Sequence, residues 1–163
     1  MASFAGALRV LNQMRDTGVV EEYAIAGAMA MVFWSEPIPT FDLDVLVFLP
    51  ESTSPIVSLD PIYRWTAARG FPEQAEPVLI EHVPVRFLPA HNLLADEAIE
   101  RAATLDYEGV PVRVVRPEYL IALYLEPGAR TRKRRERAAA LRESASVGVA
   151  ILECLLARFQ LEP

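Results

Sequence analysis

TFDLDVLVF, residues 40–48 of the chain, has the alternating pattern of a β-strand. Every second residue from 41 to 47 is apolar, which predicts one buried face over the whole stretch. The opposite face begins with Asp42 and Asp44 and then becomes apolar as well. The pattern therefore predicts a strand that is buried on both faces for most of its length but begins with two carboxylates on one face.

The two aspartates indicate a metal site. Residues i and i+2 of a strand project to the same side, so Asp42 and Asp44 can converge on one point. Two carboxylates at such a distance repel each other unless a cation lies between them. Oxygen ligands of this kind suit Mg²⁺ or Mn²⁺, and Mg²⁺ usually completes its shell with waters and substrate phosphates. The plainer alternative is that both side chains are solvated at the end of a strand.

The segment before this strand adds a second feature. AIAGAMAM, residues 24–31, has the pattern of a strand, a turn at Gly27 and a helix. Such a turn brings backbone N–H groups and a helix N-terminus to the mouth of a sheet, where they can hold phosphate. A phosphate-binding turn and a magnesium pair on adjacent strands would together form a site for a nucleoside triphosphate. A glycine between strand and helix is also common in simple packing turns.

Along the rest of the chain, strand patterns alternate with helical ones. We predict helices at 4–14, 28–34, 58–69, 92–103, 117–125, roughly 129–143 and roughly 146–159, and strands at 23–26, 40–48, 110–115 and, as a hairpin, within 77–90. This order predicts an α+β fold with a mixed sheet flanked by helices and a C-terminal helical tail. We expect one domain over 1–163, with its core at about 20–115 and its C-terminal helices at about 116–163.

Composition excludes several classes of protein. The chain has 163 residues, 52% of them hydrophobic and 23% charged, as expected for a folded globular protein. The net charge of −6 argues against a surface that binds nucleic acid throughout. One cysteine and two histidines exclude a disulfide framework and are too few for a structural zinc site. Cys154 lies in an apolar helical pattern, so we expect it to be buried.

No segment of the sequence predicts a membrane anchor. The first helix carries Arg9 among its apolar residues, so it is amphipathic and unlike a signal peptide. The longest apolar stretch, 23–34, is too short to span a bilayer. We therefore expect a soluble protein of the cytoplasm.

These motifs, taken together, resemble a known family. YAIAGAMAMVFWSEPIPTFDLDVLV, residues 23–47, is similar to the opening of the polymerase-β-type nucleotidyltransferase superfamily. In that superfamily a strand ends in Gly-Gly or Gly-Ser, a helix follows, and then come Thr-x-Asp-x-Asp and an apolar strand. The chain most resembles the minimal bacterial members and the nucleotidyltransferase toxins of abortive-infection pairs. The resemblance extends over roughly residues 20–140.

The resemblance implies roles for particular residues. Gly27 and Ala28 would contact the triphosphate, Thr40 would shape the start of the strand, and Asp42 and Asp44 would be the catalytic ligands of Mg²⁺ or Mn²⁺. An acceptor hydroxyl would then attack the α-phosphate of a nucleoside triphosphate, and pyrophosphate would leave. The acceptor would be a protein, an RNA or a small molecule. A toxin or an antitoxin would be a binding partner.

Three positions depart from the family pattern. Ala26 replaces the first glycine, and Tyr124 replaces a lysine that often reaches the nucleotide. Arg86 stands where many members have a third carboxylate, and the nearest substitute, Glu81, lies at the predicted hairpin turn. Arginine stays protonated, so Arg86 can act neither as a base nor as a metal ligand. We expect it instead to pair with one of the two aspartates.

An arginine-rich helix follows. GARTRKRRERAA, residues 128–139, carries six cations within eight residues, at Arg130, Arg132, Lys133, Arg134, Arg135 and Arg137. Their charge suits a triphosphate or an RNA backbone, and we predict that Lys133 contacts the nucleotide. The alternative is that the run is simply a solvated helix face.

Three classes of function are consistent with the sequence. The first is a Mg²⁺-dependent nucleotidyltransferase. The second is a catalytically weakened member of that fold that binds nucleotides or regulates a partner, for instance within a toxin–antitoxin pair. The third is a structural or oligomerisation domain that uses the apolar face predicted for the last helix, formed by Val147, Ile151, Leu155 and Phe159.

Overall fold

A computed structural model describes residues 2–35, 40–51, 56–72, 77–128, 131–144 and 146–162. In these residues a six-stranded sheet is flanked by helices. The elements are α1 (Phe4–Asp16), β1 (Glu22–Ala26), α2 (Gly27–Trp34), β2 (Leu43–Phe48), α3 (Asp60–Ala68), β3 (Val78–Ile80), β4 (Val83–Pro89), α4 (Leu93–Glu100), β5 (Ala103–Tyr107), β6 (Val110–Val114), α5 (Pro117–Tyr124), α6 (Arg132–Arg142) and α7 (Val149–Arg158). The predicted α+β class and the mixed sheet are confirmed.

The sheet has the order β3-β4-β2-β1-β6-β5. β2 lies near its centre, antiparallel to β1 and parallel to β4. Residue 44 of β2 has partners on both sides, since Asp44 lies opposite Ala26 of β1 and opposite Arg86 of β4. The register thus brings the end of β1, Asp44 and Arg86 into one row across three strands.

β2 is shorter than the sequence predicts. It begins at Leu43, and Phe41, which was expected on the buried face, is 86% exposed. Pairing with β1 stops at Asp44 because β1 ends at Ala26 and the chain turns there into α2. The residues before Leu43 therefore have no partner on β1, and the prediction of a strand from residue 40 is wrong.

β5 is an element that the sequence analysis missed. The predicted helix 92–103 ends at Glu100, and Ala103–Tyr107 forms an antiparallel hairpin with β6. Two arginines near the C-terminal end of the hairpin form hydrogen bonds with the end of α4. Arg113 Nη2 donates to the Ile99 carbonyl, and Arg116 Nε donates to the Arg101 carbonyl. These bonds attach the C-terminal end of α4 to the hairpin.

The C-terminal helices pack against the sheet domain through α5. Seven of the eight α5 residues are buried, and α5 contacts both α6 and α7. Buried side chains of all three helices belong to the same apolar cluster as those of the sheet. No helix in the part of the chain that the structure describes is long and apolar enough to cross a membrane.

The buried face of α7 differs from the predicted one. Its buried residues are Leu152, Leu155 and Leu156, whereas Ile151 is mostly exposed. Cys154 is exposed as well, so the expectation that it is buried is wrong. Leu155 of the predicted face is buried, and Val147 and Phe159 pack against the core, so the predicted face fails only at Ile151.

Candidate functional site

A cleft of about 1190 Å³ lies at the end of β1 and β2. Its walls come from the first turn of α2, from β2 and β4, from the segment that leads into α4, and from α5 and α6. Asp44 and Arg86 from the sheet and Arg134 and Arg137 from α6 line it together. The cleft thus joins the sheet to the arginine-rich helix.

Gly27 forms the turn at one end of the cleft. Its φ of +62° is in the left-handed region, and a Cβ at this position would lie 2.6 Å from Asp44 Oδ2. Both observations require glycine here. Ala26, in contrast, has a φ of −123°, which any residue adopts without strain. The alanine that replaces the family's first glycine therefore leaves the backbone conformation of the turn intact.

Asp44 and Arg86 form an ion pair inside the cleft. Arg86 Nε and Nη2 lie 3.2 Å and 3.1 Å from the same oxygen, Asp44 Oδ1. This confirms the expectation that Arg86 pairs with one of the two aspartates. The Asp44 side chain is 22% exposed and that of Arg86 is 47% exposed, so the pair is accessible from the cleft. An ion pair with this exposure contributes only about 0–1 kcal/mol to stability.

Tyr124 closes the cleft on the side of α5. The residue is 4% exposed, and its hydroxyl has no hydrogen-bond partner in standard geometry among the described residues. Burial raises the pKa of the Tyr124 hydroxyl, while the nearby Arg137 and Arg134 oppose this rise. The Arg134 guanidinium lies 5.3 Å from the centre of the Tyr124 ring. A buried polar group in this state can bind a ligand.

Arg134 has unused hydrogen-bonding capacity as well. Its Nη2 donates to the Leu123 carbonyl at 3.0 Å, whereas its Nε is buried without an acceptor in the described part of the chain. Arg134 and Arg137 are three residues apart on α6, so they lie on one face of the helix. That face points toward the cleft, since both residues line it.

Two of the six predicted site residues, Gly27 and Asp44, line the cleft. The other four, Ala28, Thr40, Asp42 and Lys133, are not among the described residues that line it. Ala28 is buried inside α2, Lys133 is exposed on α6, and Asp42 is exposed ahead of β2. The Thr40 hydroxyl donates to the Asp42 carbonyl at 3.4 Å.

A metal-binding cluster is absent from the residues that the structure describes. No group of three or more His, Cys, Asp or Glu side chains there is placed to hold an ion. Asp44 already contacts a guanidinium, and Asp42 does not line the cleft. This donor set does not fit a divalent metal in the arrangement observed, because such an ion needs several oxygen ligands that converge on it.

Two cations of the arginine-rich helix that the sequence analysis did not single out line the cleft. Arg134 and Arg137, not Lys133, face the cleft. The signal was present in the spacing, since the buried residues of α6 are Ala138 and Leu141. Positions 134, 137, 138 and 141 have the i, i+3, i+4, i+7 spacing of one helix face.

Comparisons with known proteins bear on the fold. The antibiotic-resistance factor ANT(2'')-Ia, solved in complex with adenylyl-2''-tobramycin, is 18% identical over 96% of this chain and 96% of that chain, with a TM-score of 0.56. Its solution structure gives 19% identity, 96% and 90% coverage and a TM-score of 0.55. An antigenic nucleotidyltransferase-like protein from Paracoccidioides brasiliensis gives 15% identity, 96% and 88% coverage and a TM-score of 0.55. The chain has the nucleotidyltransferase fold.

The nucleotidyltransferase fold agrees with the resemblance noted in the sequence. The TM-scores show that these proteins share the fold, but their identities lie below one fifth, so the activity of this chain depends on its own site residues. No family model and no curated protein matches the sequence. The similarity to abortive-infection toxins stays a prediction.

Proposed function

We propose that this chain is a nucleotide-binding protein of the nucleotidyltransferase fold whose nucleotidyl transfer is weak. The observation that carries the proposal is the ion pair between Arg86 and Asp44. Arg86 is a permanent cation at the position where the sequence resemblance implies a third carboxylate in many members of the superfamily. A positioned base contributes about 10²–10⁴ in rate, and arginine cannot supply it.

Nucleotide binding is supported by the side chains of the cleft. Arg86, Arg134 and Arg137 can donate to phosphate oxygens, and the buried Tyr124 O–H has no acceptor among the described residues. A protein of the same fold has been solved with an adenylylated compound bound. We therefore assign a nucleoside triphosphate as the ligand class. As a binding module of the cytoplasm, the protein would act through a partner, and the resemblance to abortive-infection proteins favours a toxin–antitoxin pair.

The alternative is a Mg²⁺-dependent nucleotidyltransferase that modifies a protein, an RNA or a small molecule. It is favoured by the position of Asp44 directly beside the Gly27 turn. In this alternative Asp42 and Asp44 hold the ion. Arg86 would then have to leave Asp44, and Asp42 would have to turn toward the cleft.

Transfer assays separate the two. The protein is incubated with Mg²⁺, a panel of α-labelled triphosphates, and generic RNA or tobramycin as acceptor, and binding is measured in parallel by calorimetry. We expect measurable binding and weak or undetectable transfer. Efficient transfer by the unmodified protein that is lost in Asp44→Asn would contradict the proposal and establish the alternative.

A further inference from the structure

Three arginines, Arg86, Arg134 and Arg137, line this cleft among three carboxylates, Asp44, Asp96 and Glu126, so the cations that an anionic ligand would meet belong to the protein itself. We infer that the phosphates of a nucleoside di- or triphosphate bind here without a divalent metal ion, with the Arg86 guanidinium in place of the ion and the α6 arginines as a second anchor. This inference rests on the proposed function and deepens it. It also reverses the role expected for Asp44, which becomes a residue that positions Arg86.

The first step concerns the way in which Asp44 holds Arg86. Both contacts, from Nε and Nη2, go to Asp44 Oδ1. An arginine has five N–H donors, and the Nη1 nitrogen of Arg86 has no partner among the described residues. Asp44 can therefore fix one edge of the guanidinium while the other edge binds a phosphate. Arginine suits this task because its planar fork matches the oxygens of a phosphate.

The second step is that another anchor exists on the part of the wall formed by α5 and α6. Two buried donors, Arg134 Nε and the Tyr124 O–H, have no acceptor in the described part of the chain, although the Tyr124 oxygen lies within hydrogen-bonding reach of Arg137. Leaving such groups unsatisfied is unfavourable, and phosphate oxygens would accept hydrogen bonds from both. Arg137 lines the same wall and adds another cation. This observation is independent of the Arg86 pair and points to an anionic ligand as well.

The two anchors determine the class of ligand. One stands on β4 and the other on α5 and α6, and together they carry three arginines, so a ligand that pairs with all three needs several anionic groups. A nucleoside di- or triphosphate meets this condition. The carboxylates of the cleft do not prevent binding. Asp44 is held in an exposed ion pair, which is weak, and Glu126 accepts a hydrogen bond from Asn92. Asp96 carries one charge, and a phosphate carries more charge than a carboxylate.

The test compares ATP binding with and without metal. Calorimetry on the full chain is run in EDTA and again in excess Mg²⁺. We expect binding in EDTA to be at least as tight as in Mg²⁺, because the ion neutralises part of the charge that the arginines recognise. We expect Asp44→Asn, which weakens the hold on Arg86, to change the affinity by the same factor in EDTA and in Mg²⁺, because Asp44 holds no ion in this inference.

Arginine variants locate the anchors. Arg86→Gln, and Arg134→Gln with Arg137→Gln, should each weaken ATP binding in EDTA about tenfold or more, because each removes charge-assisted hydrogen bonds. Arg135→Gln is the matched control, since it makes the same charge change on an exposed residue of α6. Its affinity should stay within about twofold. Melting temperatures without ligand verify that every variant is folded. The affinity of Arg86→Lys for ATP should lie between those of the unmodified protein and Arg86→Gln, because lysine retains the charge but lacks the planar fork of arginine.

The outcomes distinguish the inference from the proposed function. ATP binding that requires Mg²⁺ and is lost in Asp44→Asn would overturn the inference and leave a nucleotide-binding protein. The inference would also be overturned if ATP bound in EDTA with the same affinity to the unmodified protein, to Arg86→Gln, to Arg86→Lys and to the α6 double variant. If ATP fails to bind under both conditions, the proposed function fails together with the inference.

Discussion

At Gly27 the backbone turns from β1 into α2 with a φ of +62°, and the Asp44 carboxylate lies where a Cβ would be. The Gly27 turn and the Asp44–Arg86 ion pair are therefore in direct contact through the Asp44 side chain. The absent side chain leaves room for Asp44, and Asp44 in turn holds Arg86 at the cleft. Two constraints act at Gly27, the backbone conformation and the close approach of Asp44, and substitutions can separate them.

Gly18 is the control for the first constraint. It has a φ of +82°, and a Cβ there would have no atom within 4 Å. Gly18→Ala should therefore lower the free energy of unfolding by about 1–2 kcal/mol through backbone strain alone. Gly27→Ala should lower it by about 2–4 kcal/mol, because the added methyl group also collides with Asp44. Urea titrations measure both.

A double-variant cycle tests the cause of this difference. Combining Gly27→Ala with Asp44→Ala should remove most of the excess cost, since the colliding carboxylate is gone. Equal costs for the two glycine variants would show that the Asp44 side chain does not lie against Gly27. The cycle depends on neither nucleotide nor metal.

Among the secondary-structure elements, α4 and α7 are joined by a polar contact at their surface. Arg158 donates to both oxygens of Glu97, and the Tyr119 hydroxyl donates to Glu97 Oε2 at 3.1 Å. The hydrogen bonds from Arg158 lower the pKa of Glu97 below its ordinary value of 4.5. A carboxylate whose pKa is lower in the folded state than in the unfolded state stabilises the fold at pH values above its ordinary pKa. The stabilisation is lost as the pH falls through the lowered pKa.

Glu97→Gln should therefore lower the melting temperature at pH 7 by at most about 2–4 °C, the size expected for a partly exposed ion pair. The difference from the unmodified protein should shrink as the pH falls below about 4.5. Glu100→Gln is the control, as Glu100 is an exposed residue of the same helix. Scanning calorimetry from pH 7 to pH 3 measures both. A difference that stays constant over this range would mean that the charge of Glu97 does not contribute.

At the element scale the sequence predicts what is local and fails where pairing is distant. The Gly27 turn and the hairpin around residues 81–82 follow from short patterns and are confirmed. β5 was missed because the helical pattern was extended to Ala103, although Ala103–Tyr107 alternates apolar and polar residues ahead of the turn at Glu108 and Gly109. Asp42 was expected in the site because strand spacing places it beside Asp44. Its actual position depends on where β1 ends, which the spacing within β2 does not encode.

At the scale of the whole molecule, the C-terminal helices α5, α6 and α7 either unfold together with the sheet or form a separate unit. The cleft has walls on both the sheet and α6, so its shape requires that the two stay together. Leu120 and Ile121 of α5 are as deeply buried as Val45 of β2, and all three belong to one apolar cluster. We propose that residues 1–163 unfold as one domain.

Native-state hydrogen exchange tests this proposal. Amides of α5 and of β2 should exchange with the same free energy of opening, because α5 cannot leave without exposing the apolar surface of the sheet. Saturating ATP should raise both values equally, since a ligand that contacts β4 and α6 stabilises only the state in which they are joined. Mass spectrometry at increasing denaturant, with peptides from 43–48 and 117–124, measures this. Earlier opening of α5 would instead divide the chain into two units, with the cleft forming only when they close.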